Sequence, residues 1–232
     1  MSQRQQQLPK APADFVSTLR HDVYPAIDSQ TTLANAASSI EGVLVTGSGR
    51  GVGRSTALAF ARAGAKKVVL TSRTKSELEQ VKKEIEGLGK GTVVRLVEVD
   101  LTNPESVDHL FAEAGPVDTL INNAGYLEPC VPIRDSNPVD WIRTQEINTI
   151  GTYLATRAFL RQIPSSTVTV INTSSIGSVG TRPGFSSYQP GKSMINRFTE
   201  FLHWEEENVR TFAIHPYVLL SLSLSTDSPG CL

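Results

Sequence analysis

Apolar residues along this chain fall into short continuous runs that alternate with longer stretches in which they recur at helical spacing. Val43-Leu44-Val45, Lys67 to Thr71, Thr92 to Val99, Thr119-Leu120-Ile121, Thr167 to Ile171 and Arg210 to Ile214 read as strands. Between them, Ser55 to Ala63 places Ala, Leu and Phe on one helical face, and Leu78, Val81 and Ile85 form the apolar stripe of a helix over Ser76 to Leu88. Asn103-Pro104 matches an N-cap followed by proline at the first helical position. Asn137-Pro138 opens a long helix over Val139 to Arg161 that Pro164 stops, and a last helix covers Tyr188 to Glu206. Buried strands joined by helices predict an α/β fold, a doubly wound parallel sheet with helices on both faces and ligands at the C-terminal strand ends.

Length and composition divide the chain. Its 232 residues suffice for one domain with a substantial core. Residues 1–41, rich in Gln, Ala, Ser and Pro, read as an arm that lies over the domain or is partly disordered. Residues 42–216 read as the domain, and 217–232 as a tail. A formal net charge of −1 gives no reason to expect nucleic acid or an anionic membrane as partner. The N-terminus lacks the apolar stretch of a secretory signal, and no segment reaches the roughly 18 apolar residues of a membrane span. Cys130 and Cys231 suggest neither a disulfide framework nor a metal cluster. The expectation is a soluble cytoplasmic protein with no metal.

Candidate chemistry sits at the ends of the predicted strands. After the first, Thr46-Gly-Ser-Gly-Arg-Gly-Val-Gly53 leads into a helix. There Gly47, Gly51 and Gly53 keep side chains away from a backbone that can approach a pyrophosphate, and the helix turns its free N–H groups and positive dipole end toward that anion. After the second strand stand Ser72 and Arg73, where a carboxylate would accept hydrogen bonds from a ribose 2′-hydroxyl and repel a 2′-phosphate. A guanidinium suits the phosphate, with Arg50 as a second cation, so NADP(H) is favoured over NAD(H). Farther along, Tyr188 and Lys192 share one helical face. An ammonium one turn away can stabilise a phenolate and bond a cofactor ribose hydroxyl, while Ser175, at the end of the fifth strand, can polarise a carbonyl oxygen. These residues suit carbonyl reduction, with hydride from a nicotinamide and a proton from Tyr188, or alcohol oxidation by the reverse path.

The ordered motifs resemble the short-chain dehydrogenase/reductase family in its compact branch, whose Rossmann fold and cofactor turn they imply. Besides Thr46 to Gly53 they comprise Asp100-Leu101-Thr102, Asn122-Asn123-Ala124-Gly125, Asn148, Ser175 and Tyr188-Gln-Pro-Gly-Lys192, spread over residues 42–216. The resemblance implies that Asp100 contacts the adenine, that Asn123 packs against the adenosine ribose, and that Val52 lines the phosphate turn through its backbone. It also implies that Asn148 completes a tetrad with Ser175, Tyr188 and Lys192 and holds a water behind Lys192. The segment His21 to Ile27 is similar to that of fungal members often encoded with pathways for secondary metabolites. Compact members pair through two long helices, here Val139 to Arg161 and Tyr188 to Glu206, which makes a homo-oligomer the expectation.

After His215-Pro216 the sequence departs from the family pattern. The usual glycine, the cofactor-contacting threonine, the substrate lid and the last strand have no counterpart in Tyr217 to Leu232. The expected fold thus lacks its last strand and lid, with the sixth strand left as an edge, unless Val218 to Ser225 forms a substitute strand. Two functions follow as expectations: an oxidoreductase acting on a small carbonyl or alcohol, or a truncated, weakly active or inactive member that binds nucleotide or pairs with its own kind. The loops Tyr126 to Asp135 and Thr181 to Ser187 do not identify the substrate, although Tyr126 and Phe185 suggest an apolar pocket.

Overall fold

A computed structural model describes residues 23–163 and 166–216. Six parallel strands form one sheet in the order β3-β2-β1-β4-β5-β6. They are β1 Val43–Thr46, β2 Lys67–Ser72, β3 Val93–Glu98, β4 Thr119–Asn122, β5 Val168–Thr173 and β6 Val209–Ile214. The order reverses between β1 and β4, which puts a crevice at their C-terminal ends. β1 and β4 are buried along their whole length, as an apolar run covered on both faces requires.

The helices are α1 Gly51–Arg62, α2 Lys75–Gly87, α3 Pro104–Ala114, α4 Pro138–Gln145, α5 Gly151–Leu160 and α6 Gln189–Glu205. Side chains of alternate sheet residues sort into two cores. Val43, Val45, Val68 and Leu70 meet Leu78, Val81 and Ile85 of α2 on one face. Leu44, Val69, Leu120 and Val170 meet Leu110, Phe111 and Phe159 on the other. Asn103 caps α3 as its sequence predicts, its Oδ1 accepting from Glu105 N at 2.9 Å and Ser106 N at 3.1 Å, with Pro104 next.

Two predicted helices differ in detail. α1 begins at Gly51 rather than Ser55, because the glycines that close the turn also wind its first turn. The helix expected over Val139 to Arg161 is interrupted by a π-helical stretch at Glu146–Ile150. Its proposed stop, Pro164, lies outside the described residues.

Part of the arm lies over the domain. Ala37 is buried and donates its N–H to Ala63 O at 2.9 Å, Ile40 packs against the core, and Glu41 pairs with Lys66. The first part of the arm, to Asp22, and the segment 217–232, with its candidate strand Val218 to Ser225, lie outside the described residues. Among the described residues β6 is bonded to β5 alone, and Phe212 and Ile214 are 51% and 44% exposed on its outward face. No helix among them is long and apolar enough to cross a membrane.

Candidate active site

The glycine turn is built by contact with β4. Gly47 has φ +64°, a left-handed conformation that excludes a Cβ. At Gly53 the limit is space: a Cβ there would stand 2.3 Å from Gly47 O and 2.5 Å from Asn123 Nδ2. Asn123 Nδ2 donates to Thr46 O at 3.0 Å and Gly47 O at 3.3 Å, while Thr46 Oγ1 accepts from Asn123 N and Ala124 N at 2.9 and 3.0 Å. Asn123 thus fastens the turn to the neighbouring strand end. Arg50 is the N-cap of α1 but offers no side-chain bond, so the N–H groups that open the helix receive no side-chain cap from it. A Cβ on Gly51 would meet nothing within 4 Å, which leaves room over those donors. An uncapped helix end beneath a close-packed, open glycine turn fits the pyrophosphate of a dinucleotide.

Ser72 and Arg73 lie at the adjacent end of β2. Ser72 Oγ is occupied locally, donating to Thr74 O and accepting from Thr74 N, both at 3.0 Å. Arg50 and Arg73 are exposed. Asp100, after β3, accepts from Thr102 N at 2.9 Å and Thr102 Oγ1 at 2.7 Å. Those bonds, and then the nearby charges of Arg73 and Arg143, hold its carboxyl below the usual carboxylate value.

Across the crevice, Tyr188 is the N-cap residue of α6, and Lys192 N donates back to Tyr188 O at 3.1 Å. Lys192 Nζ lies 5.5 Å from the centre of the Tyr188 ring and donates to Thr173 O at 2.7 Å, at the end of β5. Burial, to 4% exposure, lowers the Lys192 ammonium to about 8. Burial also raises the Tyr188 phenol above its ordinary value, partly offset by a hydrogen bond with Ser175. Because Ser175 Oγ accepts from Gly177 N at 3.1 Å, its hydroxyl hydrogen is free for Tyr188. The sequence reading has the ammonium making this phenol acidic. In the structure desolvation prevails, and the phenol holds its proton at neutral pH.

Asn148, 1% exposed, sits within the π-helical stretch. Its Oδ1 accepts from Tyr126 N at 2.9 Å and its Nδ2 donates to Tyr126 O at 2.6 Å. No hydrogen bond joins it to Lys192. The structure therefore unites Ser175, Tyr188 and Lys192, gathers Gly47, Arg50, Gly51, Val52, Gly53 and Asn123 at the turn, and sets Asn148 against the loop after β4.

That loop and the segment before Tyr188 border a groove of about 860 Å³, lined by Arg134, Arg182, Phe185, Gln189 and Ser193 among others. Arg182 stacks over Phe185 at 5.3 Å. Phe185 thus lines a recess as expected, whereas Tyr126 lies apart from it under Arg143. Sequence reasoning missed Thr46 as a fastener, Thr173 as the lysine's acceptor, and Glu77, whose side chain crosses to Gly49. The capping-box spacing of Thr74 and Glu77 marks a helix start and gave no signal of that crossing.

A family model for short chain dehydrogenase matches residues 41–227, reaching past Pro216 into the tail. A short chain dehydrogenase of Monascus purpureus is 37% identical over 221 residues, covering 90% of this chain and 73% of that protein. The crystal structure of a short chain dehydrogenase from Mycobacterium smegmatis superposes with a TM-score of 0.73 at 28% identity, covering 79% of this chain and 78% of the other. An alcohol dehydrogenase from Thermococcus sibiricus, solved with 5-hydroxy-NADP, gives 0.71 at 25% identity over 76% of this chain and 75% of its own. A match of this extent, shared by a fungal relative and by solved folds from bacteria and an archaeon, makes the chain a member of the short chain dehydrogenase family, oxidoreductases that work with a nicotinamide cofactor.

Proposed function

We propose that this protein is an NADP(H)-dependent oxidoreductase that interconverts a carbonyl and an alcohol on a small molecule, with Tyr188 as the group that moves the proton. The observation that carries the reading is the half-buried Tyr188 phenol, its hydroxyl bonded to Ser175 and its ring centre 5.5 Å from the buried ammonium of Lys192. Gly47, Gly51, Val52 and Gly53 would hold the pyrophosphate, and Lys192 a ribose hydroxyl. When bound, the nicotinamide supplies hydride to the carbonyl carbon or takes it from the alcohol.

The chain's own residues handle the oxygen. With substrate bound, the Ser175 hydroxyl turns its one hydrogen from Tyr188 to the substrate oxygen and polarises the carbonyl. Tyr188, protonated at neutral pH because burial raises its phenol, donates to that oxygen. The phenolate left behind is compensated by Lys192, which, lowered to about 8, remains mostly charged at pH 7 yet yields a proton readily to restore the phenol. Asn148 supports the site by fixing both polar groups of the Tyr126 backbone, which orients the loop facing the reacting centre.

Arg50 and Arg73 together favour the 2′-phosphate of NADP(H). The NADP analogue held by the Thermococcus sibiricus relative is in keeping with that choice. Relatives in Monascus and Aspergillus support a place in fungal secondary metabolism. The test is to mix the full chain with NADPH and a panel of aldehydes and ketones, following nicotinamide absorbance. Tyr188→Phe should lower kcat by about a hundredfold or more; parent and mutant turning over alike would refute the mechanism.

A second reading, pairing between copies without turnover, draws on exposed apolar residues of the helical faces: Ile142, Tyr153, Phe201 and Trp204 at 51, 43, 51 and 81%. Sedimentation as a dimer, with a melting-temperature rise on adding NADPH but no turnover, would favour it.

A further inference from the structure

Glu77, in the first turn of α2, brings a carboxylate to the place where the end of β2 has none. A Cβ built on Gly49 would stand 2.7 Å from Glu77 Oε2 and 3.3 Å from Ser72 Oγ. Carboxylate and hydroxyl therefore come together beside Gly49, between the glycine turn and the end of β2. Arg50 follows Gly49 and Arg73 follows Ser72, so two guanidiniums start from the same two segments.

Helix capping does not account for this placement. In a capping box Glu77 would accept from Thr74 N. That donor goes to Ser72 Oγ instead, and the Thr74 side chain makes no cap bond. Glu77 has no hydrogen bond or ion pair among the described residues. The glycine at position 49 is what admits it, since any side chain there would collide with both Cβ and Oε2 of Glu77.

Building on the reading of a nicotinamide dinucleotide held at this turn, we propose that Glu77 tempers the discrimination between NADP(H) and NAD(H), opposing the 2′-phosphate that Arg50 and Arg73 favour. A 2′-phosphate brings more than one negative charge, whereas a 2′-hydroxyl offers a donor that a carboxylate accepts. Like charges about 4 Å apart in a water-like surrounding repel enough to change a dissociation constant by about tenfold. Two cations still outnumber one anion, so Glu77 narrows the preference for NADP(H) without reversing it.

The experiment measures binding, with no turnover. The full chain and Glu77→Gln are titrated with NADPH and with NADH, following nicotinamide fluorescence. Glutamine keeps the length and helix propensity of glutamate, and matching circular dichroism confirms the fold. The ratio of the NADPH Kd to the NADH Kd should fall about tenfold in the variant. A ratio unchanged or raised overturns the role of Glu77 and leaves nucleotide binding standing. Failure of the parent chain to bind either dinucleotide overturns both.

Discussion

Replacing Lys192 with methionine removes a charge that the fold buries at a cost, and that cost depends on pH. Burial lowers the ammonium from 10.5 to about 8, while an unfolded chain keeps its lysines near the ordinary value of about 10.4. Below about pH 8 both states are protonated and the whole penalty stands, ~3 kcal/mol at 1.36 kcal/mol per pH unit. Between about pH 8 and pH 10.5 the unfolded chain binds a proton that the folded chain has released, so folding stability rises with pH. From pH 7 to pH 10 the parent should gain roughly 2 to 3 kcal/mol relative to Lys192→Met.

Loss of the bond to Thr173 O, 2.7 Å in the parent, displaces the whole difference curve but not its slope, because a carbonyl does not titrate. Tyr188, its phenol raised by burial, stays protonated through most of the window in both proteins. Urea unfolding of parent and variant, followed by circular dichroism at several pH values, gives the difference directly. Its slope should approach 1.36 kcal/mol per unit between about pH 8 and pH 10. A flat difference would mean that water reaches the ammonium, and the account of a lysine tuned by burial would fall.

Three further changes test the rest of the crevice. Gly53→Ala puts a methyl group 2.3 Å from Gly47 O, which should cost about 2 kcal/mol or more in urea unfolding and abolish the melting-temperature rise with NADPH. Gly51→Ala, which meets no atom but has φ +55°, should cost only about 1 kcal/mol, from backbone strain. Asn148→Ala leaves the Tyr126 N–H and C=O without their partner. It should destabilise the fold by roughly 2 kcal/mol and speed hydrogen exchange at the Tyr126 amide; unchanged exchange would show that the loop is held by other contacts.

The sheet and the grouping of its motifs were legible because β1, β2 and β4 at its centre are short apolar runs buried on both faces, and because the candidate chemistry follows the strand ends directly in sequence. Asn103-Pro104 was legible for a similar reason, a cap being a local event. What escaped the sequence depends on approach between distant segments. Glu77 reaches the end of β2 from the neighbouring helix, five residues past Ser72, and only packing of α2 against the glycine turn turns its carboxylate there. The direction of the Tyr188 shift was misread because spacing reveals the nearby ammonium but not the loss of water around both groups, which dominates.

The π-helical stretch shows the same limit and joins the two halves of the site. Apolar spacing over Val139 to Arg161 fits one helix, yet this segment must satisfy two demands within four residues. Asn148 has to reach the backbone of Tyr126, while a Cβ on Gly151 would already stand 3.1 Å from Leu101 Cβ, so the helix has no room to shift as a rigid rod. Widening the coil over Glu146–Ile150 meets both, at the expense of regular backbone bonds. Threonines take up carbonyls along this segment: Thr149 Oγ1 donates to Gln145 O, Thr152 Oγ1 to Asn148 O at 3.0 Å, and Thr156 Oγ1 to Thr152 O at 2.8 Å. Gln145, just before the widened turn, donates to Ser187 O and packs its amide against Gly191. One irregular turn therefore ties the loop after β4 to the residues flanking Tyr188 and Lys192, so that this loop and the two side chains keep a fixed relation.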